Sequence, residues 1–395
     1  MRTLERIRIA RGAGRRGMTT ALTAALCLLP ALLRAQAPAY NGPAFTRTEV
    51  APGVHAFVFD NPLGDAAGVD GSAVVIINEH DVVIVDAQWT PSTARRVLAE
   101  VKRLTSNPVR YVVNTHWHGD HWYGNQVYRD AFPNVEFIAH RNTLADLETQ
   151  EVPSLERTRT TDIPGMITDM EQRYGAGLRR DGTPLNALDS ARIRKQMAAL
   201  RWAVPAMKET VPVRPTLTIT DSLVLHRGDR TIVIQYLGRG NTRGDLSVWL
   251  PRERVLVTGD LLVNPAPYSF GSYLGEWVAT LGRLRSLPAL VVVPGHGAVQ
   301  RDWVYLDLVS ELIESTRTQA REAVAKGLDL AATRKAVDLA GFRQRFSKGA
   351  EAIGRAFDAF FAAPAVERAW LEARGELGAP AGVEPPRADA YNRPD

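Results

Sequence analysis

Short runs of Val and Ile, punctuated by Gly, Asn and Asp, set the rhythm of the first third of the chain. Residues 54–59, 73–77 and 82–85 are such runs, and each reads as a strand. Residues 93–104 place apolar side chains at helical spacing instead. A buried strand over 111–113 leads straight into a His-rich loop, and 135–139 reads as another strand. From 141 to 210 the β signal lapses into a charged stretch with several Pro and Gly, which predicts helices joined by loops. Strands return over 216–220, 223–226, 231–236, 246–250 and 255–258. Residues 276–287 are helical in pattern, and Val291-Val292-Val293-Pro294-Gly295-His296-Gly297 reads as a strand feeding a loop. Helical character fills 301–375, and the Pro-, Ala- and Gly-rich stretch 376–395 reads as a disordered tail.

The chain has 395 residues, 45% hydrophobic and 23% charged, enough for a full core and ordinary for a globular protein. Its formal charge of +5 is unevenly spread. Residues 1–37 hold seven Arg and one Glu, which leaves −1 for the rest of the chain. The same segment has a basic start, thirteen uncharged residues from 21 to 33, and Ala35-Gln36-Ala37. That is the layout of a cleaved export signal, and thirteen apolar residues are short for a membrane span. The expectation is a protein exported to the periplasm or secreted, with no stable membrane anchor after cleavage. The near-neutral remainder argues against a nucleic-acid partner. Cys27, the one cysteine, lies inside the apolar stretch, so the mature chain would carry no thiolate nucleophile or ligand.

The chemistry concentrates in His116-Trp117-His118-Gly119-Asp120-His121. Three of the chain's eight His fall in six positions, together with a carboxylate. Imidazole and carboxylate are zinc ligands of the borderline-soft kind. His116 and His118 are two apart, so an extended turn can aim both at one point, while Asp120 and His121 can serve a second metal. Of the other histidines, His55, His80 and His226 read as structural or exposed, and His140 could approach the site.

HxHxDH after a strand resembles the signature of the metallo-β-lactamase-fold superfamily. Val83-Ile84-Val85-Asp86 is similar to the family's upstream strand ending in an Asp behind the ligands. Thr258-Gly259-Asp260 is similar to the strand ending in a bridging Asp, and Pro294-Gly295-His296-Gly297 to the final His loop. The four motifs occur in family order. The resemblance implies an α/β, four-layer αββα sandwich over 45–300, with a helical insert at 141–210 and a C-terminal helical extension at 301–375. It implies His116, His118, Asp120, His121, Asp260 and His296 as metal ligands and Asp120 as the catalytic carboxylate.

One piece departs from the pattern. In Gly238-Arg239-Gly240-Asn241-Thr242, Asn241 stands where the family usually has a third first-site His. The expected cofactor is therefore zinc, one or two ions per chain, with the second ion in question. Asn241 and Asp86 are expected behind the ligands or against substrate; for Asn241 a turn-capping role is the bland alternative. The implied activity is attack of metal-bound hydroxide on a cyclic amide, lactone, ester or thioester of a small molecule. The alternative is a degenerate, non-catalytic member that binds a metal or ligand, and Asn241 is its support. The insert reads as a lid or substrate-selecting wall, or else as a peripheral decoration. Homo-oligomerisation is left open.

Overall fold

The computed structural model describes residues 42–60, 70–179 and 182–377, all in one compact unit. The export-signal segment and residues 378–395 of the tail lie outside the described residues. Seven strands form the first sheet: β1 (Phe45–Ala51), β2 (Val54–Phe59), β3 (Ala73–Ile77), β4 (Val82–Val85), β5 (Val109–Val113), β6 (Glu136–His140) and β7 (Leu217–Ile219). They lie in chain order, antiparallel from β1 to β4 and parallel from β4 to β7. The second sheet runs β12-β11-β10-β9-β8, from β8 (Ser222–Arg227), β9 (Arg230–Tyr236), β10 (Leu246–Leu250), β11 (Val255–Val263) and β12 (Val291–His296).

The near-continuous apolar runs have a simple cause: most of these strands are buried on both faces, and side chains alternate between them. On the first sheet, Val54, Ala56, Val74, Ile76, Val83 and Val85 point inward to meet Ile232, Ile234, Val248, Val257 and Val293 of the second. Their neighbours Phe57, Val75, Ile84 and Val112 point outward, under Val97, Leu98 and Val101 of the Pro91–Leu104 helix. On the far side, Trp249, Leu256 and Val292 are covered by the Leu274–Arg285 and Val304–Ala325 helices. Phe346, Phe357 and Phe361 of the C-terminal helices continue that layer. The result is the four-layer α/β/β/α sandwich that the resemblance implied.

Two elements differ from the sequence reading. β1 carries no apolar run because it is an edge strand, with Thr46, Arg47 and Thr48 facing solvent or its margin. β11 runs beyond 258, so Asp260 sits inside the strand rather than at its end. Gly259 permits this: its φ of +51° bends the strand, the register with β12 shifts there, and a Cβ would meet the Thr115 side chain. The insert is helical as expected. It forms one run over 141–176 with wide π-helical turns at Leu147–Glu151 and Thr158–Asp162, then Ala187–Lys208. No helix among the described residues is long and apolar enough to cross a membrane.

His140, at the end of β6, does not join the His-rich loop. Its fully buried ring stacks on Tyr236 at 4.2 Å. The Asn142 backbone N–H donates to Nδ1 at 3.2 Å, so Nε2 carries the proton and donates to Thr220 O at 3.1 Å. Burial pushes its pKa down to about 4. The folded value lies below the unfolded 6.5, so the unfolded chain binds the extra proton first and stability falls as pH drops below 6.5. Between pH 7.5 and 5 this one group should remove about 2 kcal/mol. His140→Phe is expected to flatten that leg of a stability-versus-pH curve measured by chemical denaturation. Parallel curves for parent and variant would contradict it.

Candidate metal centre

The strand ends bring the six candidate ligands to one edge of the two sheets. β5 ends at Val113 and releases the 114–121 loop; Asp86 follows β4, Asp260 lies in β11 and His296 closes β12. Backbone hydrogen bonds hold these segments together. Asp86 N–H donates to Val113 O at 2.8 Å, Ala87 N–H to His121 O at 2.8 Å, and Leu246 N–H to Thr115 O across the sheets at 2.8 Å. Gly295 lets the last loop close in, since a Cβ there would overlap Asp260 Oδ1.

The donors form two clusters. In one, His116 Nε2 lies 2.9 Å from His118 Nδ1, and Asp260 Oδ2 lies 3.5 and 4.0 Å from the two nitrogens. In the other, His121 Nε2 lies 3.3 Å from His296 Nε2, and Asp120 Oδ2 is 3.4 and 3.0 Å from those nitrogens. The second oxygen of Asp260, Oδ1, faces this cluster at 3.3 Å from His121 and 3.5 Å from His296. Asp260 thus turns one oxygen to each cluster.

The ring tautomers follow from their partners. Thr115 N–H and Oγ1–H both donate to the Asp86 carboxylate, at 2.8 and 2.9 Å. With its one hydrogen so used, the Thr115 oxygen can only accept from His116 Nδ1 at 3.0 Å. His121 Nδ1 faces Asp86 Oδ2 at 2.8 Å and can only donate to it. Both rings therefore present Nε2 to the centre, the arrangement that an acceptor behind a ligating histidine imposes. Asp86 holds this station with a left-handed backbone, φ 63°, which Asp tolerates better than most residues. Thr115 was absent from the sequence reading; a hydroxyl immediately before the first His is a weak signal without the fold.

Burial and charge oppose each other here. Burial alone would raise the Asp260 carboxyl, but His121, His296 and His116 hold it well below the usual range. Burial would lower His121, yet Asp120, Asp260 and Asp86 push it well above the ordinary His value. His116 goes the other way, to about 4, through burial and the neighbouring His121. Three buried polar atoms of this region lack a hydrogen-bond partner in the protein: Asp260 Oδ1, His296 Nδ1 and Asn241 Oδ1. An acceptor left bare in a core is costly. Nitrogen and carboxylate donors converging on a bare buried oxygen fit a divalent transition-metal ion.

The family model of the metallo-beta-lactamase superfamily matches residues 66–296. The chain belongs to this superfamily. Among relatives of the superfamily, the linear primary-alkylsulfatase of Pseudomonas sp. is 27% identical over 231 residues, covering 55% of this chain and 39% of that protein. The type 2 metallo-beta-lactamase of Bacteroides fragilis is 33% identical over 98 residues, covering 23% of this chain and 39% of that protein. The chain spans about two fifths of the length of these curated relatives. Among solved structures, the stereoselective inverting sec-alkylsulfatase of Pseudomonas sp. superposes with a TM-score of 0.58 at 16% identity, over 86% of this chain and 52% of that one. It shares the metallo-beta-lactamase fold.

Within that superfamily frame, Asn241 is fully buried. Its Nδ2 donates to Tyr268 O at 2.8 Å. A carbonyl can only accept, so the amide orientation is fixed and the bare end is the oxygen. One of the two amide N–H donors is thereby committed to the Tyr268 loop. Left-handed backbone plays no part at Asn241; the turn is held by Asp245, which accepts from Thr242 N–H and Oγ1, each at 2.8 Å. Tyr268 in turn sets its ring edge against His118 at 5.5 Å. Asn241→His should tighten zinc at the first cluster by about tenfold or more, because imidazole replaces an amide oxygen. Zinc titration against a competing chelator measures this. Unchanged affinity would remove Asn241 from the site.

Proposed function

We propose that the protein is a zinc-dependent hydrolase that opens a cyclic amide, lactone, ester or thioester in a small molecule with an apolar group. The observation that carries this reading is the pair of donor clusters sharing Asp260. His116, His118 and Asp260 would hold one ion; Asp120, His121, His296 and Asp260 would hold the other. Zinc bound there supplies a Lewis acid and brings the pKa of water to about 7. The chain's own residues do the rest. Asp86 and Thr115 keep two imidazoles aimed. The Asp120 side chain is 21% exposed while Asp260 is 4%. Asp120 is thus the carboxylate that meets solvent and substrate, and it takes the proton of the attacking water and returns it to the leaving group.

Support for an apolar substrate group comes from the rim. Tyr268 stands between His118 and Phe360 of the C-terminal extension, stacked on Phe360 at 5.8 Å. Phe270 packs on Tyr268 at 4.8 Å and remains 42% exposed, so an aromatic ring open to solvent adjoins the residue that meets His118. A second reading, hydrolysis of a sulfate ester on an alkyl chain, is favoured by the 231-residue match to an alkylsulfatase. The export segment suggests that either reaction occurs outside the cytoplasm, which N-terminal sequencing of host-made protein tests. Rates of the zinc-loaded protein on a chromogenic β-lactam, a long-chain lactone, a thioester, a p-nitrophenyl ester and an alkyl sulfate separate the readings. Turnover of any acyl substrate, abolished by chelation, supports the first; turnover of the sulfate alone supports the second. No turnover across the panel with metal bound favours a non-catalytic member.

A further inference from the structure

The helical insert reaches the ligand loop through one carboxylate. Glu151 ends the wide turn Leu147–Glu151, 28 residues beyond Tyr123. Its Oε1 accepts from Tyr123 Oη–H and lies directly against Gly119, 2.7 Å from where a Cβ of that residue would stand. Gly119 is the residue between His118 and Asp120, and it is buried. A Cβ at this position would run into both the Tyr123 ring and Glu151 Oε1, so the insert is seated directly on the loop. His118, Asp120 and Tyr268 all lie within electrostatic reach of Glu151.

The other ligands have their own supports. His116 and His121 are tied to the Asp86–Thr115 pair, and His296 closes a strand. The peptide carrying His118 and Asp120 belongs to a single 3-10 turn, tied to the segment before β3 by one longer bond, from Gly71 N–H to Asp120 O at 3.3 Å. A short turn of that kind has poor internal hydrogen-bond geometry. A carboxylate close to Asp120 adds like-charge repulsion that a leucine would avoid. Keeping an acceptor here therefore has a use beyond filling space.

We propose that Glu151 is a positioning residue through which the insert fixes the Gly119 peptide and so keeps His118 and Asp120 aimed at the metals. The inference rests on the metallohydrolase reading. The insert is then a working part of the centre, and its removal from the loop loosens one ligand of each cluster.

Glu151→Leu removes the acceptor, Glu151→Gln keeps an acceptor oxygen without the charge, and Tyr123→Phe removes the hydroxyl that donates to it. The readout is cobalt(II) titration of the full chain by visible absorption, with kcat and KM on whichever substrate the parent turns over. Glu151→Leu should bind cobalt about tenfold or more weakly, with altered ligand-field bands, and lose about tenfold or more in kcat at a KM within about threefold. Glu151→Gln should rescue cobalt affinity and kcat to within about threefold of the parent. Tyr123→Phe should weaken cobalt by a few-fold; it keeps the test open should the leucine variant not fold. Parent-like cobalt affinity and bands in both Glu151→Leu and Tyr123→Phe overturn the proposal, even if melting temperature falls. A parent that takes up no cobalt overturns the metal reading itself; a parent that binds it while the variants match overturns this proposal alone.

Discussion

Asp260→Asn is expected to lower hydrolysis by about a thousandfold, ~4 kcal/mol of transition-state stabilisation. The two oxygens of Asp260 are not equivalent in what they face. Oδ2 looks to His116 and His118, and Oδ1 to His121 and His296. An amide has one oxygen and one NH₂ group. Whichever way the substituted amide turned, one cluster would meet a donor where a cation needs an acceptor. The loss should therefore show in metal content as well as rate: roughly one ion fewer per chain than the parent by elemental analysis. A variant that keeps the parent's metal content and rate would show that Asp260 does not bridge.

Asp86→Ala should be the most damaging change away from the ligands themselves. Asp86 accepts from Thr115 N–H, Thr115 Oγ1–H and His121 Nδ1–H, all buried. Removing the acceptor orphans three donors in the core, and each orphan costs about 1–3 kcal/mol. Ala also gains strain at the left-handed φ of 63°. Allowing for partial rearrangement, stability should fall by about 3–5 kcal/mol in urea denaturation. Asp86→Asn separates fold from function. It tolerates the backbone and keeps one acceptor, so stability should fall less, while zinc affinity drops about 10–100-fold because His121 loses its charged partner. A zinc affinity unchanged in Asp86→Asn would contradict the orienting role.

How much of this was legible in the sequence depends on the range of each signal. The two-sided burial of β2 to β5 shows directly as apolar runs rich in Val and Ile, and β10, β11 and β12 of the second sheet show in the same way. β1 was invisible because an edge strand has one buried face at most and reads FTRTEVA. The ligand loop was legible because its donors cluster within six positions, and Asp260 and His296 because each comes just after a recognisable apolar run, 255–257 and 291–293. Thr115 and Glu151 were not. Their roles arise where loops from distant parts of the chain meet: Glu151 touches Gly119 from the helical insert, as Asn241 touches Tyr268 across 27 residues. The direction of the Asn241 amide is likewise a property of the fold. Only the Tyr268 carbonyl reveals that the bare end is the oxygen.

The central claim is that the two donor clusters joined by Asp260 hold zinc. The most direct test is plasma mass spectrometry of the full chain after equilibrium dialysis against micromolar zinc. The account predicts between roughly one and two zinc ions per chain, with the less tightly held fraction lost first as zinc is lowered. Zinc below about a tenth of an equivalent, in protein shown to be folded by its circular dichroism, would contradict it.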